Sequence, residues 1–134
     1  MKTHTSDPVC PGCALKLDSA DFRLRDWFLK EVKPNFKDAH ISWAFRDKVD
    51  QQQAFDNGKT CLEWPNSAHN HMNNAVPCAR ALDLFQVNDD HPTGCWEPKW
   101  FYLINAHNEQ NGIQLKWGGK FQTLGDSDHF ELIN

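Results

Sequence analysis

Apolar residues recur at helical spacing in three parts of the chain, and each part has recognisable helix boundaries. The first part predicts a helix from a cap at Asp18 or Ser19 to Val32. The second part predicts a helix over 47–56. The third predicts a helix over about 97–112, with a proline suited to its first turn. Three amphipathic helices are therefore expected, each with one buried face.

Other apolar stretches are too short for helices and have the alternating or continuous pattern of strands. Four such stretches are predicted, at 40–45, 79–85, 113–117 and 129–133. Turns are predicted over 88–94, around Gly118-Gly119 and at Gly125. Residues 59–78 lack periodicity and are rich in Asn, Pro and Ser, so they predict one long loop. Loops of that length in compact domains are usually functional or disordered.

The order of these elements predicts an α+β fold. We expect a single compact domain, with a small, mostly antiparallel sheet and helices packed on one of its faces. Residues 1–18 contain Pro8, Pro11 and Gly12 and predict an irregular lead-in, which leaves 19–134 as the folded domain.

Composition narrows the function classes. The chain has 134 residues, of which 40% are hydrophobic and 24% charged, as in an ordinary soluble globular domain. A formal net charge of -4 supplies no basic field, so no nucleic-acid partner is expected.

No apolar run approaches the roughly 20 residues of a membrane-spanning helix, so no membrane insertion is expected. The first residues lack a secretory signal, which predicts synthesis in the cytoplasm. We expect a monomer.

Three residues have the chemistry of a catalytic zinc site. His69, Asp83 and His129 offer two neutral imidazoles and one carboxylate, which leaves a fourth zinc position open for water. Asp126 precedes the last histidine by three residues and could take a proton from that water. His71 competes with His69, since Ser67-Ala68-His69-Asn70-His71 offers two imidazoles, of which only one is expected to bind the metal.

Asp83 is the most telling of these residues, because it lies in the apolar segment Ala81-Leu82-Asp83-Leu84. An unpaired buried carboxylate is costly. A metal would offset that cost, and so would a nearby arginine such as Arg80. Both explanations remain open on the residues alone.

The same residues resemble a family of zinc peptidases that includes D-alanyl-D-alanine carboxypeptidases and phage L-alanyl-D-glutamate endopeptidases. The resemblance covers about 40–132 and rests on three motifs in order. They are Ser67-Ala68-His69, Ala81-Leu82-Asp83 and Asp126-Ser127-Asp128-His129-Phe130. The pair Phe45-Arg46 also matches an aromatic-arginine pair of the family.

The sequence departs from the family pattern at three places. The gap between His69 and Asp83 is longer than in the simplest members. Lys120 and Phe121 replace an acidic residue and a tryptophan, and Asp128 stands where a proline or aromatic residue is common. None of these departures removes a proposed ligand.

The resemblance implies a hedgehog-like or DD-peptidase-like fold and a zinc peptidase mechanism. It implies Zn²⁺ as cofactor, held by His69, Asp83 and His129, with Asp126 as general base. The remaining site residues it implies are Arg46, which would stabilise the oxyanion, and Ser67, which would support the site by hydrogen bonding. For Arg46, an ion pair with Asp47 or Asp50 remains the structural alternative.

The implied substrate is the stem peptide of peptidoglycan, cut between L-alanine and D-glutamate. Release of terminal D-alanine is the alternative within the family. A protein made without a signal peptide would then resemble a phage endolysin, which reaches the bacterial wall after release. A second class of function, a non-catalytic wall-peptide binding module on the same fold, also remains open.

The cysteine pair Cys10-Pro11-Gly12-Cys13 has the spacing of half a zinc knuckle or of a redox pair. A structural zinc would need further donors, which His4 or the more distant Cys61, Cys78 and Cys95 could supply. A thioredoxin-like role is disfavoured because the pair does not follow a strand. A zinc-ribbon nucleic-acid binder is disfavoured by the charge and the single pair. The sequence leaves the role of the pair open, and it assigns no role to His40.

Overall fold

The computed structural model describes residues 9–120 and 126–133. The predicted turn at Gly125, the substitution at Phe121, the candidate donor His4 and the first eight residues of the predicted lead-in lie outside the described residues. No helix in the described ranges is both long enough and apolar enough to cross a membrane.

The first helix, α1, spans Pro11–Asp18 and corrects the prediction of irregular structure up to residue 18. Cys10 caps it, because its sulfur accepts a hydrogen bond from the backbone N–H of Cys13. Pro11 does not oppose the helix, since a proline in the first turn gives up only an N–H that has no helical partner. Cys13 and Leu17 are buried, so α1 is part of the packed domain.

The first predicted helix, from a cap at Asp18 or Ser19 to Val32, is present but starts later and runs further than its sequence pattern indicates. It consists of α2 over Phe22–Trp27, a π-helical turn over Phe28–Val32 and the short α3 over Lys33–Asn35. Asp21 is the N-cap of α2. Pro34 therefore lies inside the helical segment rather than beyond it, at the start of the new turn where its missing N–H costs little.

The remaining helices agree with their predictions. Helix α4 spans Lys48–Asp56 and is capped by Asp47, whose side chain accepts from the backbone N–H of Asp50. Helix α5 spans Pro98–Gln110 and also begins with its proline.

The main sheet has four antiparallel strands in the order β1-β4-β6-β5. Their bounds are Ala39–Trp43 for β1, Ala81–Gln86 for β4, Leu115–Trp117 for β5 and His129–Leu132 for β6. The predicted long loop contains a 3-10 turn, Ala68–Asn70, and a small ribbon of β2, Met72–Asn73, with β3, Val76–Pro77. The predicted α+β class with a small antiparallel sheet is confirmed.

The two faces of the sheet have different chemistry. Leu82 and Leu84 of β4 belong to the apolar core on one face, so Asp83 between them projects from the other. On β6, Phe130 packs in the same core against Trp27 of α2, with ring centroids 5.3 Å apart. The alternation that buries the leucines thus presents the carboxylate to the opposite face.

Candidate metal centre

The two central strands bring Asp83 and His129 together. In the antiparallel register of β4 and β6 these residues lie directly opposite each other. His69 approaches from the 3-10 turn Ala68–Asn70. All three are buried, with 1% of His69, 5% of Asp83 and 6% of His129 exposed. Burial of three such polar side chains requires that each be satisfied by a partner.

Their donor atoms converge on one point. The Oδ1 atom of Asp83 lies 2.9 Å from Nδ1 of His129 and 3.1 Å from Nε2 of His69. The two ring nitrogens lie 3.2 Å from each other. This is a mutual approach of three metal-ligating atoms of the kind expected around a small cation.

The opposite nitrogen of each ring fixes its tautomer. Nδ1 of His69 lies 2.7 Å from the carbonyl oxygen of Ala44, which can only accept, so this nitrogen carries the hydrogen. Nε2 of His129 lies 2.9 Å from Oε1 of Glu131 and donates to that carboxylate. In the neutral rings, therefore, both nitrogens that face Asp83 present lone pairs.

Three lone pairs that face one another repel unless a positive charge lies among them. The pKa values of His129 and Asp83 also indicate that these atoms favour a positive charge among them. Burial alone would lower the pKa of His129, but the hydrogen bonds to Asp83 and Glu131 raise it to about 10. Burial likewise opposes ionisation of Asp83, yet His69 and His129 hold its pKa well below the usual range. Two imidazoles and one carboxylate are also a donor set that zinc accepts, so these residues fit a divalent cation.

Ser67 fixes the turn that carries His69. Its hydroxyl accepts a hydrogen bond from the backbone N–H of His69 at 3.2 Å. In return, the side-chain oxygen of Asn70 accepts from the backbone N–H of Ser67 at 3.0 Å, which completes a capping box. The contribution of Ser67 is therefore to the placement of His69.

His71, the competing histidine, lies away from this cluster. It is exposed, and its Nδ1 donates to the carbonyl oxygen of Cys78 at 2.9 Å. The structure thus brings His69, rather than His71, to Asp83 and His129.

Arg46 is the cationic partner of Asp83. Its Nη2 lies 3.5 Å from Oδ2 of Asp83, on the carboxylate oxygen that does not face the histidines. Its Nη1 donates to Gln51 at 3.2 Å, and its guanidinium lies over the ring of Trp43, 4.9 Å from the centroid. The ion pair considered with Asp47 or Asp50 is replaced by this one, and Arg80 is not the arginine that pairs with Asp83.

Asp126 lies at the mouth of the cluster. One of its carboxylate oxygens is 3.7 Å from Nδ1 of His129, and 32% of its side chain is exposed. Asp128 lies beside it, where burial, the charge of Asp83 and a hydrogen bond with Asp126 raise the pKa of Asp128 to about 9. At neutral pH Asp128 is therefore protonated and hydrogen-bonded to Asp126.

A cleft of about 680 Å³ opens over these residues. Besides the cluster, its walls include Trp43, Lys59, Trp96 and Ser127. The volume lies in the range of small-molecule and peptide sites, and two indole rings beside charged groups suit a ligand of mixed polarity.

The structure brings the six predicted site residues to one cleft: Arg46, Ser67, His69, Asp83, Asp126 and His129. Sequence reasoning missed Glu131 and Gln51, and it treated Asp128 only as a departure from a pattern. Glu131 had a usable signal, since a residue two positions after His129 on a strand shares its face. Gln51 had none, because its partners are distant in sequence.

Comparison with known proteins agrees with the fold. No family model matches the sequence, and no curated protein matches it. Among solved structures, the chain is similar to the L-Ala D-Glu endopeptidase ChiX of Serratia marcescens. The two share 18% sequence identity with a TM-score of 0.67, and the match covers 90% of this chain and 85% of that one. The architecture described above is therefore shared with a peptidase.

Proposed function

We propose that this protein is a zinc-dependent peptidase that hydrolyses the peptidoglycan stem peptide between L-alanine and D-glutamate. The observation that carries the proposal is the convergence of Nε2 of His69, Nδ1 of His129 and Oδ1 of Asp83. Their other polar atoms are engaged by Ala44, Glu131 and Arg46, so the converging lone pairs are left for a cation.

Zinc bound by these three residues would polarise the scissile carbonyl and lower the pKa of water at the site. The protein's own groups then handle the proton. Asp126 is partly exposed and next to the cluster, so its carboxylate accepts the proton as the water oxygen attacks the carbonyl carbon. When the C–N bond breaks, Asp126 returns that proton to the leaving amine.

Arg46 has two functions in this mechanism. Through Nη2 it holds Asp83 in place from the side opposite the histidines. Arg46 also lines the cleft, where its guanidinium is held by Asp83, Gln51 and the ring of Trp43. A fixed positive charge there would stabilise the oxyanion that develops on the substrate carbonyl.

The choice of substrate is supported by the cleft and by the structural neighbour. The stem peptide alternates L and D residues and carries carboxylates, which suit the positive charges of Lys59 and Arg46 on the cleft wall. ChiX, with which the fold is shared, is an L-Ala D-Glu endopeptidase.

Mass spectrometry of digested peptidoglycan tests the proposal. The zinc-loaded protein should generate new amino-terminal D-glutamate, and a chelator should abolish the product. The variant Asp126→Asn should retain zinc and lose turnover, whereas Asp56→Asn, on the exposed side of α4, should retain both. Release of terminal D-alanine instead would show that the protein is a carboxypeptidase and that the proposed scissile bond is wrong. Bound zinc without any product would instead identify a binding module.

The ligand assignment has its own matched pair of variants. His69→Ala should lose zinc, while His71→Ala, two residues away and exposed, should keep stoichiometric zinc and full turnover. Metal analysis of both purified proteins decides the matter, because retained zinc in His69→Ala would refute the assignment.

A further inference from the structure

A second cluster of metal-ligating side chains lies apart from the first and shares no residue with it. It consists of Cys10, which caps α1, Cys13 in α1, and His40 on the edge strand β1. Only 2% of Cys10 and 1% each of Cys13 and His40 are exposed. The residues join the N-terminal helix to the sheet across 27 positions of sequence.

The donor atoms are close enough for one ion. Nδ1 of His40 lies 3.7 Å from the sulfur of Cys10 and 3.5 Å from that of Cys13. All three ligand atoms lie within 4.8 Å of one another. A single imidazole nitrogen thus faces two sulfurs, which is the arrangement that three ligands of a tetrahedral ion adopt.

Backbone N–H groups point at both cysteine sulfurs. The backbone N–H of Cys13 donates to the sulfur of Cys10 at 3.4 Å, and the N–H of Ile41 donates to the sulfur of Cys13 at the same distance. Hydrogen bonds of this kind around ligands orient them and tune a metal site. Lys16 adds positive charge nearby, since its ammonium donates to the carbonyl of Ile41 at 3.0 Å.

Two cysteine sulfurs and one imidazole nitrogen are a donor set that zinc accepts, and a bound zinc ion would supply positive charge among these buried groups. A redox role would require access for a second thiol, which the burial of both sulfurs denies.

We propose that Cys10, Cys13 and His40 bind a structural zinc ion that fastens α1 to β1. Zinc of this type takes four ligands, and the described residues supply three of them. The soft sulfur donors distinguish this site from the histidine and carboxylate cluster of the cleft. The inference is independent of the proposed peptidase activity, since it concerns stability and metal content alone.

Cobalt substitution of the full chain tests this site directly. Thiolate ligands give Co²⁺ an intense near-ultraviolet charge-transfer absorption, which a site of two imidazoles and a carboxylate cannot give. The wild type should bind two Co²⁺ per chain and show this absorption. Asp83→Ala should lose one ion and keep the absorption. A wild-type protein that binds Co²⁺ without the absorption would overturn the proposal, and this measurement needs no cysteine variant to fold.

Single cysteine variants locate the ligands. Cys13→Ser should lose the absorption and one equivalent of metal, whereas Cys61→Ser, at an exposed cysteine, should keep both. Wild-type protein should also melt at a lower temperature after chelation, and Asp83→Ala should show the same loss. An unchanged absorption in Cys13→Ser, or an intact mass that reveals a Cys10–Cys13 disulfide in metal-loaded protein, would refute the site.

Discussion

Glu131 holds the ring of His129 from the side opposite Asp83, with 2.9 Å between Oε1 and Nε2. The residues lie two positions apart on β6, so the strand itself places the carboxylate beside the ring. Although burial opposes its ionisation, the hydrogen bond from His129 lowers the pKa of Glu131. In the neutral ring, Glu131 therefore acts as a charged acceptor that fixes the hydrogen on Nε2 of His129 and leaves the lone pair on Nδ1.

Removal of this acceptor should weaken metal binding without unfolding the protein. We expect Glu131→Ala to raise the zinc dissociation constant about 10- to 100-fold, because the ring loses its fixed tautomer and orientation. Competition with a chromophoric chelator measures the change. The control is Glu109→Ala, at an exposed carboxylate that pairs with Lys120. Equal affinity in the two variants would contradict the orienting role.

Gln51 should be important for stability although it contacts no predicted ligand. It is fully buried, accepts hydrogen bonds from Arg46 and Asn70, and donates to the carbonyl of Leu62. Gln51→Ala leaves these groups without their partner, and we expect it to lower the free energy of unfolding by about 2 kcal/mol or more. Gln53→Ala, exposed on the same helix, should change it by less than about 0.5 kcal/mol. Urea unfolding of both variants checks the difference.

Gly118 leaves room for the backbone at Asp126. A Cβ atom at position 118 would lie 2.1 Å from the carbonyl oxygen of Asp126 and 2.9 Å from Cβ of His129. Gly118→Ala should therefore displace Asp126 and reduce turnover by about 100-fold, the loss expected for a misplacement near 1 Å. Lys116→Ala, exposed on β5, is the control and should retain turnover. Wild-type rates for Gly118→Ala in a wall-digestion assay would show that Asp126 tolerates the shift.

Asp21 should make the stability of α2 depend on pH. A side-chain hydrogen bond from Arg23 lowers the pKa of Asp21, which also caps the helix. Because the pKa of Asp21 is lower in the folded than in the unfolded protein, its ionised carboxylate stabilises the folded protein at any pH above the unfolded-state pKa of about 3.9. This stabilisation is lost as the pH falls through the folded-state pKa.

The variant Asp21→Asn keeps a capping oxygen but cannot ionise. It should be less stable than the wild type at pH 7, by up to about 1 kcal/mol, and the difference should shrink as the pH falls below about 4. Thermal melts across this range measure it. Asp18→Asn, at a well-exposed side chain, should show a smaller difference at pH 7. A stability difference between Asp21→Asn and the wild type that does not change with pH would show that the charge of Asp21 does not stabilise the protein.

The sequence predicted most of the sheet, two of the helices and six of the residues that line the cleft. Local patterns suffice for such features, since the alternation around Asp83, the cap at Asp47 and the first-turn proline Pro98 act over a few residues. The roles of His69, Asp83, His129 and Asp126 remain predictions until metal and turnover are measured.

Features that depend on distant contacts were not predictable. Helix α1 begins with Pro11 and Gly12, which favour a turn, and it is part of the packed domain because Cys13 and Leu17 are buried there. His40 had no assigned role because its neighbours, Cys10 and Cys13, lie about 30 positions earlier in the chain. In both cases tertiary packing, rather than local propensity, determines the outcome.

Because Asp83 and His129 pair directly, the proposed cation binding would depend on the correct register of β4 and β6. Side chains alternate between the faces of a strand, so a slip of one residue between β4 and β6 would turn His129 away from Asp83. A misregistered chain cannot gather the three donor atoms and gains no free energy from the ion. Metal binding would then favour the correctly paired sheet over its nearest misfolded competitor, so that availability of the ion influences which product of folding accumulates.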